Sequence, residues 1–225
     1  MPEGITLIAD GAFSGASGIE ELILPKGLKY IGKGACKWLS SLKSVRIPES
    51  VSFVGDEAFF SSGSAHITLS TAGKEIGQTA FPHEARVTFL VNGREFTVTL
   101  EDDSGGDSPL LRFAAEPTDE HFAQLEYKEY KIPAAVCLSG ELSSCRRYLE
   151  DNIEKALCFA VKTGDDTLLE AIVALDIAGG AELDAAIDYA ITLGRIEQQV
   201  MLMREKNKLL GTENVDSIMT DRFDI

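Results

Sequence analysis

Ile8-Ala9-Asp10-Gly11-Ala12-Phe13 returns as Ile31-Gly32-Lys33-Gly34-Ala35-Cys36, as Val54-Gly55-Asp56-Glu57-Ala58-Phe59 and as Ile76-Gly77-Gln78-Thr79-Ala80-Phe81. The alanines stand 23, 23 and 22 residues apart. A second element keeps step with the first: Leu22-Ile23-Leu24-Pro25, Val45-Arg46-Ile47-Pro48, Ile67-Thr68-Leu69 and Val87-Thr88-Phe89. A period of this length marks a stacked repeat, in which one unit cannot bury its apolar side alone and neighbours share a continuous core. Unrelated strands of a sandwich would not hold such a period.

Each slot has a physical reading. Apolar-x-apolar is a short strand with alternate side chains turned inward. Pro25 and Pro48 close it, because proline has no N–H to extend the ladder. The glycine after Ile31, Val54 and Ile76 suits either a positive φ or a close approach of backbone. Alanine followed by Phe fits a tight corner whose ring fills the space between coils. Finally, residues 86–91 and 94–100 flank Asn92-Gly93, the two-residue turn of a hairpin that would cover the last open edge.

The run Ile47-Pro48-Glu49-Ser50-Val51-Ser52-Phe53-Val54-Gly55-Asp56-Glu57-Ala58-Phe59 resembles the repeat of BspA-type leucine-rich proteins of bacteria. That repeat reads Leu-x-x-Ile-x-Ile-Pro-x-x-Val-x-x-Ile-Gly-x-x-Ala-Phe-x-x-Cys. The likeness covers residues 1–90 in nearly four units; Cys36 replaces the Phe, the cysteine slot is mostly unfilled and the fourth unit is degenerate. The resemblance implies a leucine-rich-repeat β-solenoid that binds other molecules by its surface, without catalysis.

The second half is a different object. Residues 101–117 open on Glu101-Asp102-Asp103-Ser104-Gly105-Gly106-Asp107, acidic and Gly/Ser-rich, and read as a linker. A calcium loop is the sharper alternative, but the EF-hand spacing and its closing Glu are missing. Thr118 can cap a helix carrying Phe122 and Leu125, and Pro133 can start another through Leu138. From Asp151 the chain nearly repeats itself, residues 153–164 aligning with 183–194 at an offset of 30. Gly164 and Gly194 end the two first helices, and Leu-rich second helices follow. The Ala-rich first helix, closing Gly and Leu-rich second helix are similar to degenerate ankyrin-like pairs over residues 151–210. The expected fold is α+β: repeats with a terminal hairpin over 1–100, a linker over 101–117, an all-α helical-repeat domain over 118–211 and a tail over 212–225.

Charge excludes some partners. Across 225 residues, 21 Lys and Arg against 36 Asp and Glu leave a net −15, the wrong sign for nucleic acid or an anionic membrane surface. Residues 1–100 carry 9 basic and 10 acidic side chains, a net −1; residues 101–225 carry 12 and 26, a net −14. No run of 18 apolar residues suggests membrane insertion, and no layout of a signal peptide opens the chain. A cytoplasmic location is therefore expected, with a secreted or surface-bound one as the alternative if the native chain extends further at its N-terminus. Cys36, Cys137, Cys145 and Cys158 lack metal-ligand spacing and read as buried thiols, although Cys137 and Cys145 could pair.

Strand alternation nominates an outward binding face of Glu21, Ile23, Ser44, Arg46, His66, Thr68, Arg86 and Thr88. Between Leu22 and Pro48 the lysines Lys26, Lys29, Lys33, Lys37 and Lys43 occur with no acid, a basic patch that could face solvent, an acidic partner or the chain's own acidic half. Gly27-Leu28-Lys29-Tyr30-Ile31-Gly32-Lys33-Gly34 follows most of a phosphate-binding loop but ends on Gly34, where Ser or Thr should hold Mg²⁺. His66, His83 and His121 have no metal-spaced companion. Trp38, beside Leu39 and Leu42, reads as a turn-packing residue. No metal and no cofactor are expected. The reading is a non-enzymatic scaffold for a protein partner; an adhesin for extracellular ligands and a nucleotide-dependent enzyme are the alternatives.

Overall fold

A computed structural model of the chain describes residues 1–62, 65–100 and 108–211. They fall into two compact units, one ending at Cys137 and the other beginning at Leu138.

In the first unit every repeat supplies two strands. Those after the corners are β2 (Glu21–Leu22), β4 (Ser44–Arg46), β6 (His66–Leu69) and β8 (Arg86–Val91), followed by β9 (Arg94–Thr99). Between them lie β1 (Leu7–Ile8), β3 (Tyr30–Ile31), β5 (Phe53–Val54) and β7 (Glu75–Ile76). Two sheets result, β1-β3-β5-β7 and β2-β4-β6-β8-β9, parallel throughout except for the β8–β9 hairpin. The register carries Glu21 onto Ser44, His66 and Arg86, so the coil length runs 23, 22 and then 20 residues. Leu22, Leu24, Val45, Ile47, Ile67, Leu69, Val87 and Phe89 are buried, as alternation requires.

The glycines of the repeat serve close approach. Cβ atoms added at Gly32, Gly55 and Gly77 would stand 2.6, 2.6 and 2.4 Å from the backbone nitrogens of Asp10, Lys33 and Asp56, one coil back. None of the three has a positive φ. Left-handed backbone is instead found in a column of Gly11, Gly34, Glu57 and Thr79, with φ 62°, 56°, 55° and 49°, at each corner. Corners stack by backbone ladders: Gly34, Cys36 and Trp38 N–H donate to Asp56, Ala58 and Phe60 carbonyls at 2.8, 2.7 and 2.9 Å. Ala35, Ala58 and Ala80 are fully buried there, and the Phe59 and Phe81 rings stack at 6.4 Å.

Asn92 and Gly93 both take positive φ, 50° and 76°, the geometry a two-residue hairpin turn demands. β9 carries Phe96, which begins an aromatic chain through Phe113 and Phe122 with centroids 6.3 and 5.7 Å apart. Phe113 sits on α1 (Pro109–Ala115), a helix inside the stretch read as a linker. Its Ser108 cap, accepting from Leu111 N–H at 3.2 Å, and its first-turn proline are helix-start signals in the sequence. Residues 101–107, where the calcium reading falls, lie outside the described residues.

α2 (Asp119–Ala123) begins where expected, with Thr118 Oγ1 accepting from His121 N–H at 3.1 Å. α3 (Lys128–Leu138) begins earlier than expected and holds Pro133 in its interior. Burial of Tyr130 and Ile132 draws the preceding turn into the helix, with the Tyr127 carbonyl accepting from Tyr130 and Lys131. The Arg94 guanidinium donates to the Cys137 carbonyl at 2.8 Å, tying the hairpin to the end of α3. The first unit thus extends to Cys137, past the boundary expected at 117/118.

The second unit consists of two antiparallel pairs, α4 (Ser143–Thr163) with α5 (Asp166–Val173) and α6 (Gly180–Thr192) with α7 (Ile196–Leu209). α4 starts eight residues before Asp151 and breaks at Asn152 (φ −135°), next to the expected start. Gly164 and Gly194 take the left-handed conformation, φ 67° and 66°, that ends each first helix. The pairs are joined by Gln198, whose amide donates to the Asp166 carboxylate at 2.5 Å. Among the described residues no helix is long and apolar enough to cross a membrane.

Candidate functional site

The period-2 strands and the constant register place the nominated residues in two rows on the outward face of the five-stranded sheet. One row runs Glu21, Ser44, His66, Arg86; the other runs through Arg46, Thr68 and Thr88, with Ile23 one coil before Arg46. A groove of about 720 Å³ lies over the N-terminal part of this face. Glu21, Ile23, Ser44, Arg46, His66 and Thr68 all line it, together with Lys26, Glu49 and Ser50 from the turns after the strands. Those turn residues escape strand alternation, although Lys26 and Glu49 share a column one period apart.

Six of the eight nominated positions therefore meet in one concavity. Arg86 is exposed but lies farther along the sheet, and Thr88 is a correction: it is buried, at 6% exposure. The hairpin strand β9 adds Thr97 beside it, and Thr88 Oγ1 lies 2.7 Å from Thr97 Oγ1 and 2.7 Å from His66 Nε2. His66 is consequently held by its neighbours rather than free to swing. Burial, and then the nearby Arg86 guanidinium, push its pKa below the ordinary 6.5 against a smaller opposing pull from Glu95.

The basic patch does not exist as an acid-free surface. Lys37 Nζ lies 2.7 Å from Glu57, Lys43 Nζ 2.6 Å from Glu20 and Lys33 Nζ 4.0 Å from Asp56. The cause is the coil length: a residue's neighbours across coils sit some 20 to 23 positions away, so acids outside the stretch Leu22–Pro48 fall beside its lysines. Lys26 belongs to the groove. Lys29 is exposed, and its carbonyl accepts from Ser52 Oγ at 3.2 Å.

Other sequence signals resolve as follows. In the loop that resembles a phosphate cradle, Gly32 and Gly34 N–H donate to the Ile8 and Asp56 carbonyls at 2.9 and 2.8 Å. Lys33 N–H donates to Asp10 Oδ1 at 2.8 Å, so the loop's amides are committed between coils. Trp38 is not packed inside its turn; it is 55% exposed in a left-handed conformation, with Lys37 Nζ 4.6 Å from its ring centroid. None of the four cysteines forms a disulfide; Cys36 and Cys145 are buried and the other two half-buried. His83 is exposed, and His121 Nδ1 lies 2.7 Å from the Glu116 carbonyl oxygen. Among the described residues no group of three or more His, Cys, Asp or Glu could hold a metal ion.

Stacked coils of 22 or 23 residues, with an inward apolar-x-apolar strand and a Gly-x-x-Ala-Phe corner, match a known repeat. Residues 1–92 match the BspA type leucine rich repeat region, in six copies. The N-terminal part is thus a leucine-rich-repeat β-solenoid, a repeat scaffold of the kind generally used for protein interaction. Six copies in 92 residues exceed the four corners counted from alanine spacing, and the match stops at Asn92, inside the capping hairpin. Comparison with curated proteins and with solved structures gives no match. In this leucine-rich-repeat unit the groove is formed by the first three coils alone, its outward side chains standing over the buried Leu22, Leu24 and Val45.

Proposed function

We propose that the chain is a non-enzymatic binding scaffold that captures a protein partner on the outward face of its leucine-rich-repeat sheet. The observation that carries this reading is the convergence of Ile23, Arg46, Ser44, His66 and Thr68 on one groove. Ile23 is 68% exposed there, an apolar side chain that the fold itself leaves uncovered. A large exposed apolar group rimmed by polar ones, with an arginine at its centre, has the make-up of an interface hot spot. The helix pairs of residues 151–210, read as ankyrin-like, extend the scaffold and need not touch the same partner.

Affinity capture with the full chain tests the proposal. Wild type and an Arg46→Glu variant are compared by quantitative mass spectrometry of what each retains from host lysate. A protein held by wild type and lost by the variant supports the assignment. If every retained protein is kept equally by both, the sheet face is not the binding surface.

A further inference from the structure

Ser44 and Arg46 lie two residues apart on β4 and so point to the same side of the sheet, about 6.6 Å apart along the strand. Their register partners on β6 are His66 and Thr68, about 4.8 Å across. Four hydrogen-bonding side chains thus stand at the corners of a small rectangle on the groove floor. Among the described residues the Ser44 hydroxyl, the Arg46 guanidinium and the Thr68 hydroxyl have no hydrogen-bond or ionic partner, whereas His66 is fixed by Thr88. A guanidinium flanked by two uncommitted hydroxyls is a donor set for an oxyanion, and the imidazole anchored on Thr88 adds a donor in the tautomer that carries its proton on Nδ1. The neighbours of Arg46 in its own row are Ile23 and Thr68, neither acidic, and among the described residues no carboxylate lies within ion-pair distance of it, although Glu21 and Glu49 line the same groove.

The structure assigns this rectangle, we infer, as a carboxylate-binding subsite: it takes an Asp or Glu side chain of the partner while an adjacent apolar side chain of the partner covers Ile23. Glu21 and Glu49 also line the groove, and their charge disfavours a doubly charged phosphate more than a singly charged carboxylate. Arginine binds the planar carboxylate with two parallel N–H donors, which fixes the orientation of the incoming segment as well as its charge. This inference rests on the groove being the binding face and adds the chemistry of what enters it.

The test uses the full chain, labelled with ¹⁵N, and three soluble probes: N-acetyl-Leu-Glu-amide, its Gln analogue and inorganic phosphate. Expected is a saturable shift of the Arg46 Nε–H resonance and of β4 and β6 amides with the Glu probe, at a dissociation constant in the low millimolar range. The Gln analogue should leave those resonances in place. Ser44→Ala and Thr68→Ala should each weaken the Glu probe by about fivefold, and Arg46→Gln should abolish its effect. No saturable shift up to about 50 mM, an equal response to the Gln analogue, or tighter binding of phosphate would overturn the carboxylate assignment. The capture experiment separates the two claims. Partner loss in Ile23→Ser with full retention in Arg46→Gln refutes the carboxylate subsite but keeps the binding face. Retention in both refutes the face itself. Each variant's Trp38-monitored urea transition checks that it remains folded.

Discussion

Replacing Gly55 by alanine tests the stacking geometry at its tightest point. The added Cβ would stand 2.6 Å from Lys33 N, 2.7 Å from Gly32 C and 2.9 Å from Lys33 Cα. All three are backbone atoms, so no side-chain rotation relieves the overlap. Reaching an ordinary contact of 3.4 Å parts the second and third coils by about 0.8 Å, and overpacking of this kind costs about 1–3 kcal/mol. Gly55 N–H donates to the Ile31 carbonyl at 2.8 Å and Gly34 N–H to the Asp56 carbonyl at 2.8 Å, across the same seam. Stretched by that amount neither remains a hydrogen bond, at about 1 kcal/mol each. The expected loss is therefore about 3–5 kcal/mol, a large share of a domain's stability of about 5–15 kcal/mol. Gly27 is the control: a Cβ there meets nothing within 4 Å, so Gly27→Ala should change stability by less than about 1 kcal/mol, in the stabilising direction. Trp38 is the only tryptophan, so its fluorescence in urea reports the solenoid alone. The Gly55 variant should lose about 1.5–2.5 M in its midpoint relative to the Gly27 variant. Midpoints within about 0.5 M of each other would refute the claim that these glycines exist for close backbone approach.

Four further outcomes are expected. His66 is held neutral, its folded pKa below 6.5; the unfolded chain then binds the proton more readily, so stability is full above pH 6.5 and falls as pH drops below it. The groups that bear on it are Arg86 and Glu95, with Arg46 and Glu21 in the same groove. Melting followed by Trp38 from pH 7.5 to 5.5 should show this slope in wild type and a shallower one in His66→Gln; equal slopes would assign it to carboxylates instead. Burial pushes the Cys36 thiol up to about 12, so in native protein at pH 8 it should resist a disulfide reagent until urea exposes it, as peptide mapping would show. Asp165 caps α5 by accepting from Leu168 N–H at 2.9 Å; Asp165→Ala should cost about 1 kcal/mol, visible as an earlier helical transition by circular dichroism. Thr68→Glu places an acid beside Arg46, as Asp56 stands beside Lys33, and should change stability by at most about 1 kcal/mol while blocking the carboxylate probe. Undiminished probe binding in that variant would count against the subsite.

The sequence made some parts of this molecule legible and hid others, for separable physical reasons. The strands β2, β4, β6 and β8 could be read because each buries two side chains separated by one, a pattern visible within three residues. The second sheet could not be read as a sheet. Its strands are two residues long and each buries a single residue, Ile8, Ile31, Val54 or Ile76, which leaves no alternation to detect. The glycine beside each of these residues left two readings open, and only the neighbouring coil decides between them. The α1 helix was obscured by the acidic stretch before it, although Ser108-Pro109 and the apolar Leu110, Leu111 and Phe113 mark its start and face. Trp38 shows the limit of reading neighbours along the chain. Leu39 and Leu42 are buried, but the left-handed corner turns the indole outward.

The same limit governs charge, and it is why the candidate site differs from the basic stretch that the sequence puts forward. In a solenoid the electrostatic neighbour of residue i is residue i ± 23, not the residues beside it in the chain. Lys33 therefore meets Asp56 and Lys43 meets Glu20, and exposed pairs of this kind contribute little stability while removing a cation from the surface. Lys37 is drawn the same way to Glu57. Arg46 escapes because its own column reads Ile23, Arg46, Thr68: no acid stands one coil away in either direction. Counting lysines along Leu22–Pro48 thus points to five residues of which three, Lys33, Lys37 and Lys43, are already paired with acids, and passes over an arginine that is not. Reading the columns instead of the line leaves Arg46, between Ser44, His66 and Thr68, as a cation of the groove floor with no ion pair among the described residues, and an acidic side chain from outside the fold as the group that would complete its column.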